Sequence, residues 1–432
     1  MNPVIVIPSY WTTSEEVVGT YDHATPVDAP EPELARCLES LEQVRGVMRT
    51  VVLLVAPPEA AEAARTRVDD ICAEHPNLTP LVVGAPEART VQNAVVAAAP
   101  RLSGETVSLR GYGAIRNLGL MVASILAHDV VVFLDDDEVA LGPDFLVEAV
   151  YGLGQLTRQN LPVAAKSGFF IDADDSFLAN EELPWYDRDW DKNLGFNRWM
   201  RAARSGTRIS RSNFACGGCM AIHAEAFSQV AFDPYITRGE DMDYLFSLRL
   251  YGMDMWFDNQ WCVRHLPPST PRPANRFKQN VFRWLYERAK LAHAATKQDL
   301  SQVTPESLMP YPGPWISDDL DRRIRVTALR RAIGTRDHAE YLAVWASGYR
   351  EALQNAERNA RSYLSFMSWW PAIVQRLWGE RDLAAWLVDH GTPPGVAAYN
   401  PYVGDGPSTA EATGPVGAGA TGPVPTGEGA PS

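Results

Sequence analysis

The chain has 432 residues, with 39 Lys and Arg against 53 Asp and Glu for a formal net charge of -14, and 46% of it is hydrophobic. That length sustains a core without disulfide staples, and the acidic balance excludes a broad nucleic-acid surface, which needs clustered Lys and Arg. Five cysteines in no dense framework point to a reducing compartment.

Residues 3–8 form a short apolar run that stops at Pro8 and lacks a basic flank, so it reads as a first strand and not as a signal peptide. A polar, Pro-punctuated loop follows to about residue 32. Leu34, Leu38, Leu41 and Val44 then recur at helical spacing. Residues 50–55 predict a second strand, 59–74 a helix, 81–83 a weaker third strand, and 114–127 a helix. The continuous β-branched run at 130–134 predicts a buried strand. This alternation argues for a parallel, doubly wound sheet, in which ligands bind beyond the carboxyl ends of strands. Those ends are Pro8-Ser9-Tyr10, Ala56 onward and Asp135-Asp136-Asp137.

Beyond residue 150 the pattern is mixed. Residues 163–171 and 215–223 predict strands, 172–214 reads as an aromatic, charged loop, and 240–252 as a helix. From 274 the chain reads as helical, with Phe277, Val281, Trp284, Leu285 and Leu291 on one stripe. Arg276, Lys278, Arg283, Arg288 and Lys290 read as that helix's solvated face, with an anionic membrane surface as the alternative. No uncharged apolar stretch reaches the roughly 18 residues of a membrane span. The nearest, 362–374, reads as a core helix, with an interfacial patch as its alternative. The Gly, Pro and Ala-rich segment 403–432 reads as disordered, because it has too little apolar surface to offset its ordering entropy.

Several short segments carry chemistry. Asp135, Asp136, Asp137 and Glu138 follow a buried strand directly. Packed carboxylates repel unless a cation neutralises them, and Mg²⁺ or Mn²⁺ does so while also bridging a diphosphate. An acidic turn before a helix is the plain alternative. One helix upstream, the glycines of residues 111–119 permit close backbone approach, and Arg116 offers a fork of donors to phosphate. Gly217 and Gly218 mark a close approach in a strand. Glu240, Asp241 and Asp243 open a helix, where the dipole favours carboxylates and where a general base would also stand. His265 ends a short strand. Cys216 and Cys219 lack a second cysteine pair, so they read as neither a zinc nor a redox site.

In this order the motifs resemble the GT-A fold glycosyltransferases, most like family 2, over about residues 3–268: Pro-Ser-Tyr, Arg-Asn-x-Gly, Asp-x-Asp, Gly-Gly, Gly-Glu-Asp-x-Asp and Val-x-His. The resemblance implies an α/β fold of the nucleotide-diphospho-sugar transferase type, with a Rossmann-like doubly wound sheet and a C-terminal helical extension. It implies a GT-A unit over 1–273 (a nucleotide half, 1–140, and an acceptor half, 141–273) and a helical region over 274–402. It implies a hexosyltransferase using a nucleotide-sugar donor, a hydroxyl acceptor (a saccharide, a lipid-linked sugar or a small molecule) and Mn²⁺ or Mg²⁺. Pro8, Tyr10, Arg116, Asn117, Asp135, Asp136, Gly217 and Gly218 would meet the donor. Asp135, Asp137 and His265 would hold the metal. Asp241, with Glu240, would serve as an inverting base, and Asp243 and Trp185 would meet the acceptor. A cytoplasmic enzyme is expected, with contact at the inner membrane face and homo-oligomer formation left open. Where the family carries an acidic base-reading turn, this chain has Ala56-Pro57-Pro58-Glu59, and only Glu59 remains. Asp172 to Asp175 mimic Asp-x-Asp but do not follow the Arg-Asn helix. A nucleotidyltransferase would need a glycine-rich loop with Lys after the first strand, which is missing. A non-catalytic scaffold on the same fold is the other rival.

Overall fold

A computed structural model describes residues 1–13, 21, 23–267 and 273–399. The segment 403–432, expected to be disordered, lies outside the described residues. Ten strands join in one sheet: β1 (Pro3–Thr12), β2 (Thr25–Pro26), β3 (Thr50–Val55), β4 (Pro80–Val83), β5 (Val130–Phe133), β6 (Glu138–Ala140), β7 (Ala165–Ile171), β8 (Ile209–Arg211), β9 (Met220–His223) and β10 (Met255–His265). Eight helices fall among them: α1 (Glu33–Leu41), α2 (Ala61–Ala73), α3 (Ala85–Ala98), α4 (Tyr112–Ile125), α5 (Phe145–Val150), α6 (Lys192–Arg204), α7 (Ala224–Phe227) and α8 (Glu240–Leu250). Six more follow the sheet: α9 (Pro273–Ala294), α10 (Leu320–Gly334), α11 (His338–Ala343), α12 (Tyr349–Met367), α13 (Trp370–Leu377) and α14 (Arg381–Gly391).

The sheet runs β4-β3-β1-β5-β9-β7-β10-β6, with β2 beside β1 and β8 beside β10. The first four strands are parallel and buried on both faces, as their unbroken Val/Leu/Ile runs require. Beyond them the sheet is mixed: β9 runs antiparallel to both β5 and β7, and β6 antiparallel to β10. The reversal brings the start of β9 to the carboxyl end of β5, in the register Phe133↔Met220. The glycines before Met220 therefore meet the acidic residues after Phe133.

β1 runs past its expected end at Pro8. On the side facing β5, Val6 O accepts from Leu134 N–H (3.1 Å) and Tyr10 N–H donates to Asp136 Oδ2 (3.3 Å). Pro8 falls between them at period two, after β5 has ended, so its missing N–H leaves no ladder bond unmade.

The segment 172–214, expected as loop, contains α6. Its Phe196, Trp199 and Met200 are buried at helical spacing among many charges, which hid the period. Helix α3 was likewise not expected. In α9 the solvated-face reading fails for two residues: Arg283 bonds Glu287 and Lys290 bonds Asp243 and Asp233, all buried. The helix packs along α12 and has no free face there. In 362–374, Tyr363, Phe366, Met367, Trp370, Ile373 and Val374 are buried in the core. Helix α14 covers the edge strand β4, where a Cβ on Gly391 would stand 2.8 Å from Leu81 Cδ1. No helix among the described residues is long and apolar enough to cross a membrane.

Candidate active site

A cleft of about 1100 Å³ opens beyond the carboxyl ends of β1, β3 and β4, lined by Tyr10, Pro57, Arg65, Gly84, Arg89 and Gly111 among others. Glu62, one turn into α2, also lines it, whereas Glu59 does not. The acidic turn after β5 adjoins it through two of the lining residues, Tyr10 and His23, both of which meet Asp136. β5 is buried and ends at Phe133, so the following carboxylates emerge together beside β1.

Each acid has a different partner. Asp135 Oδ1 accepts from Arg116 Nη2 at 2.8 Å. Asp136 Oδ1 and Asp137 Oδ2 each stand 3.6 Å from His23 Nε2. Asp137 Oδ2 also lies 3.2 Å from His265 Nε2. Glu138 Oε2 accepts from Asp135 N–H at 3.3 Å. The encounter with His265 follows from register: β10 pairs with β6 so that His265 faces Glu138, and Leu266 N–H donates to Asp137 O at 2.9 Å. His23, Asp136 and Asp137 offer ligand atoms within 4.8 Å of one another. His23 Nε2 and Asp136 Oδ1 are buried without a hydrogen-bond partner.

The electrostatics follow from burial and neighbours. Burial raises Asp136 above the usual carboxylate range against the pull of His23. Burial would raise Asp137 too, but bonding and charge from His265, then charge from His23, hold it below that range. Burial and the charges of Asp135 and Asp137 push Glu138 well up. For His23, burial acts downward but Asp136 and Asp137 win, lifting the imidazole to about 9. Three carboxylates and a raised imidazole in one pocket are the signature of a site that attracts a cation.

Arg116 joins this turn to α8. Its Nε lies 3.4 Å from Glu240 Oε1, it stacks over Phe133 at 4.8 Å, and its Nη1 is buried without a partner. Burial, with the charges of Asp241 and Asp135 and against that of Arg116, lifts Glu240 to about 7. The turn into α8 has Gly239 at φ +72°, a left-handed conformation suited to glycine. A Cβ on Gly217 would stand 2.7 Å from Arg116 Nη2 and 3.6 Å from Asp241 Cβ, which places the paired glycines between the acidic turn and Asp241.

The structure therefore gathers Tyr10, Arg116, Asp135, Asp136, Asp137, Gly217, Gly218, Glu240, Asp241 and His265 about the acidic turn, with Tyr10 also on the cleft wall. It sets four other expected residues elsewhere. Asn117 is fully buried, donating to Thr106 O and Phe232 O and accepting from Phe232 N–H. Asp243 is buried against Lys290 at 2.6 Å. Trp185 is 49% exposed and stands beside the end of α10, near Gly334. Pro8 is buried within β1. The Asp-x-Asp mimic is engaged as well: Asp172 accepts from its own turn and Asp175 pairs with Arg264 at 2.7 Å. Sequence reasoning missed His23. Its only signal was an imidazole in the long loop after β1, and nothing in its spacing tied it to the acids.

The Glycosyltransferase like family 2 model matches residues 28–287. No curated protein matches the chain. Among solved structures, a mannosyltransferase from Pyrobaculum calidifontis in complex with GDP-Man and Mn²⁺ is 16% identical, with 87% of each chain covered and a TM-score of 0.45. Glucosyl-3-phosphoglycerate synthase from Mycobacterium tuberculosis in complex with Mg²⁺ and UDP is 14% identical, covering 62% of this chain and 72% of that one at a TM-score of 0.32. S. aureus TarS 1–349 in complex with UDP is 8% identical, covering 88% and 91% at a TM-score of 0.40. With the family match spanning more than half of its length and the sheet carrying the acidic turn at a strand end, the chain belongs to glycosyltransferase-like family 2 and is a glycosyltransferase of GT-A fold.

Proposed function

We propose that the protein transfers a sugar from a nucleotide-diphosphate sugar to a hydroxyl acceptor, with inversion, and that it does so with a divalent cation, Mn²⁺ or Mg²⁺. The observation that carries the cation is the group of buried ligand atoms His23 Nε2, Asp136 Oδ1 and Asp137 Oδ2, within 4.8 Å of one another, in which the imidazole nitrogen stands 3.6 Å from each oxygen, beyond hydrogen-bond distance. Two carboxylates and an imidazole suit Mn²⁺ well, and His265 beside Asp137 adds a second imidazole. Asp137, Asp136, His265 and His23 would hold the ion. Asp135 already has one oxygen on Arg116, which favours a role on the ribose or sugar. When bound, the ion supplies neutralising charge to the departing diphosphate.

The chain's own groups account for the rest. Arg116 has a buried, unpartnered Nη1, a donor available to a diphosphate oxygen. Tyr10 and the wall of Pro57 and Pro58 would flank the nucleoside. Asp241 would accept the acceptor's hydroxyl proton as the new bond to the anomeric carbon forms and the bond from that carbon to the diphosphate oxygen breaks. The nucleoside diphosphate leaves with the bonding electrons. Glu240 is held by Arg116, which leaves Asp241 as the carboxylate facing the glycine pair. The donor chemistry would lie within residues 1–273, with α9 of the helical region bracing the turn before α8.

The test is a screen of UDP-, GDP- and dTDP-sugars for slow donor hydrolysis with Mn²⁺ or Mg²⁺. One nucleotide class is expected to be hydrolysed, with loss in EDTA and in Asp137→Ala. Wild-type turnover in Asp137→Ala would remove the assigned site.

A further inference from the structure

Helix α9 buries charge on one face. Arg283, Glu287 and Lys290 recur at i, i+4 and i+7, and they are 8%, 0% and 0% exposed. Taking charges out of water is costly, and well-packed apolar side chains would serve stability as well or better, so a buried ionic stripe points to a demand for fixed geometry. Two of the three reach the first turn of α8, which carries Asp241: Lys290 bonds Asp243, and a Cβ on Gly239 would stand 2.0 Å from Arg283 Cζ.

Lys290 is the centre of the network. Its Nζ donates to Asp243 Oδ2 at 2.6 Å and Oδ1 at 2.7 Å, to Asp233 Oδ2 at 2.9 Å and to Ser247 Oγ at 3.0 Å. Tyr286 OH donates to the same Asp233 oxygen at 2.9 Å, and the Tyr363 ring of α12 lies 3.8 Å from the ammonium. All six residues are buried.

The two aspartates serve different parts of the candidate site. Asp243 stands two residues after Asp241 in α8, and at 3.6 residues per turn two such side chains leave a helix on nearly opposite sides. Asp241 faces the glycine pair, with its Cβ 3.6 Å from where a Cβ on Gly217 would stand, while Asp243 points to Lys290. Holding Asp243 therefore fixes the rotation of α8 about its axis, and with it the direction of Asp241. Asp233 instead lies under α4, the helix of Arg116, since a Cβ on Gly113 would stand 2.0 Å from Asp233 O. One ammonium thus ties the helix of the carboxylate Asp241 to the segment that seats the helix of Arg116.

We propose that Lys290 is a positioning residue for the transfer step: through Asp243 it sets where Asp241 stands relative to the bond that breaks, which makes α9 part of the catalytic apparatus and not an appended helix. This rests on the reading of Asp241 as the base. Lys290 is fully buried, so it meets neither donor nor acceptor and acts only through its partners.

The test is Lys290→Met, which removes the charge at similar length, scored on hydrolysis of the UDP-, GDP- or dTDP-sugar that the wild type turns over with Mn²⁺. Expected is a fall in kcat of about a hundredfold, with donor KM and Mn²⁺ affinity within about threefold of wild type. A lost packing role alone lowers the thermal midpoint without that split, so rates are read at a temperature where circular dichroism shows each variant folded. Asp243→Asn, which keeps the volume and one acceptor, carries the same test if Lys290→Met does not fold. A cycle with Asp241→Asn isolates the coupling: once the base is gone its position no longer matters, so in that background Lys290→Met is expected to cost less than about twofold. An unchanged kcat, a loss carried by KM, or a fully additive loss in the cycle overturns the positioning role and leaves the base standing. Full kcat in Asp241→Asn alone removes the base, and the role of Lys290 with it.

Discussion

Gly218 lies directly against Glu138: a Cβ there would stand 1.8 Å from Oε2 of that glutamate and 2.8 Å from the Asp135 backbone nitrogen. The neighbour at Gly217 is different, since a Cβ would there meet the guanidinium of Arg116, 2.7 Å away, and no backbone atom. Gly218→Ala must therefore shift the acidic turn itself, while Gly217→Ala need only displace a guanidinium. Small displacements of reacting groups cost on the order of a hundredfold in rate. Gly218→Ala is expected to lower kcat/KM by about that factor and Gly217→Ala by less, read from steady-state kinetics on folded protein. Turnover within twofold of wild type in Gly218→Ala would show that the turn is not where the chemistry occurs.

His23 Nε2 and Asp136 Oδ1, which face each other at 3.6 Å without a hydrogen bond, make a second prediction. Losing an outer-shell partner of a metal ligand costs about ten- to a hundredfold in affinity, and losing a direct imidazole ligand costs at least that. His23→Ala is expected to weaken Mn²⁺ binding by about that much in a paramagnetic titration, and Asp137→Ala by more, because it removes the oxygen shared between His23 and His265. Excess Mn²⁺ should restore activity in His23→Ala. Unaltered affinity in that variant would remove the imidazole from the set.

Glu240 predicts a pH dependence of stability. Its carboxyl is lifted to about 7, chiefly by burial. An ordinary glutamate titrates near 4.3, so between these values the folded chain binds the proton that the unfolded chain has lost. Stability then falls as pH rises through that window and levels off above about 7. The total is on the order of 3–4 kcal/mol for a group 7% exposed. Glu240→Gln has no proton to lose, so its thermal midpoint should decline less between pH 5 and pH 8. Parallel midpoint curves for the two proteins would place Glu240 in a more solvated setting.

The parallel half of the sheet was legible because its strands are apolar runs that need no partner to be recognised. Thr50 to Val55 is β3 as expected, and Val130 to Phe133 is β5. The direction of β9 was not legible, since a strand's hydrophobic pattern carries no information on which way its neighbour runs. Adjacent acids after β5 were visible as spelling. The meeting of Asp137 with His265 depends on the β6–β10 register, and that of His23 with Asp136 on the path of a polar loop. The burial of Arg283 and Lys290 escaped for a related reason. A charge pattern on one helix looks solvated until the packing of α12 and α8 is known.

Asn117 separates a family-derived expectation from a packing role. The resemblance sets it against the nucleotide, yet the structure has its amide bonded at 2.8–3.1 Å to the backbone of Thr106 and Phe232 with no exposed surface. Those bonds tie α4 to the segment before α8, and thereby hold Arg116 near Glu240. Asn117→Ala would strand three buried backbone groups, at a cost of about 2–4 kcal/mol. Urea unfolding should show that loss. Donor KM, measured at a temperature where the variant stays folded, should remain within a few fold of wild type. A tenfold or greater rise in KM with stability unchanged would instead put the Asn117 amide on the nucleotide, and would mean that the loop carrying Phe232 opens when the donor binds.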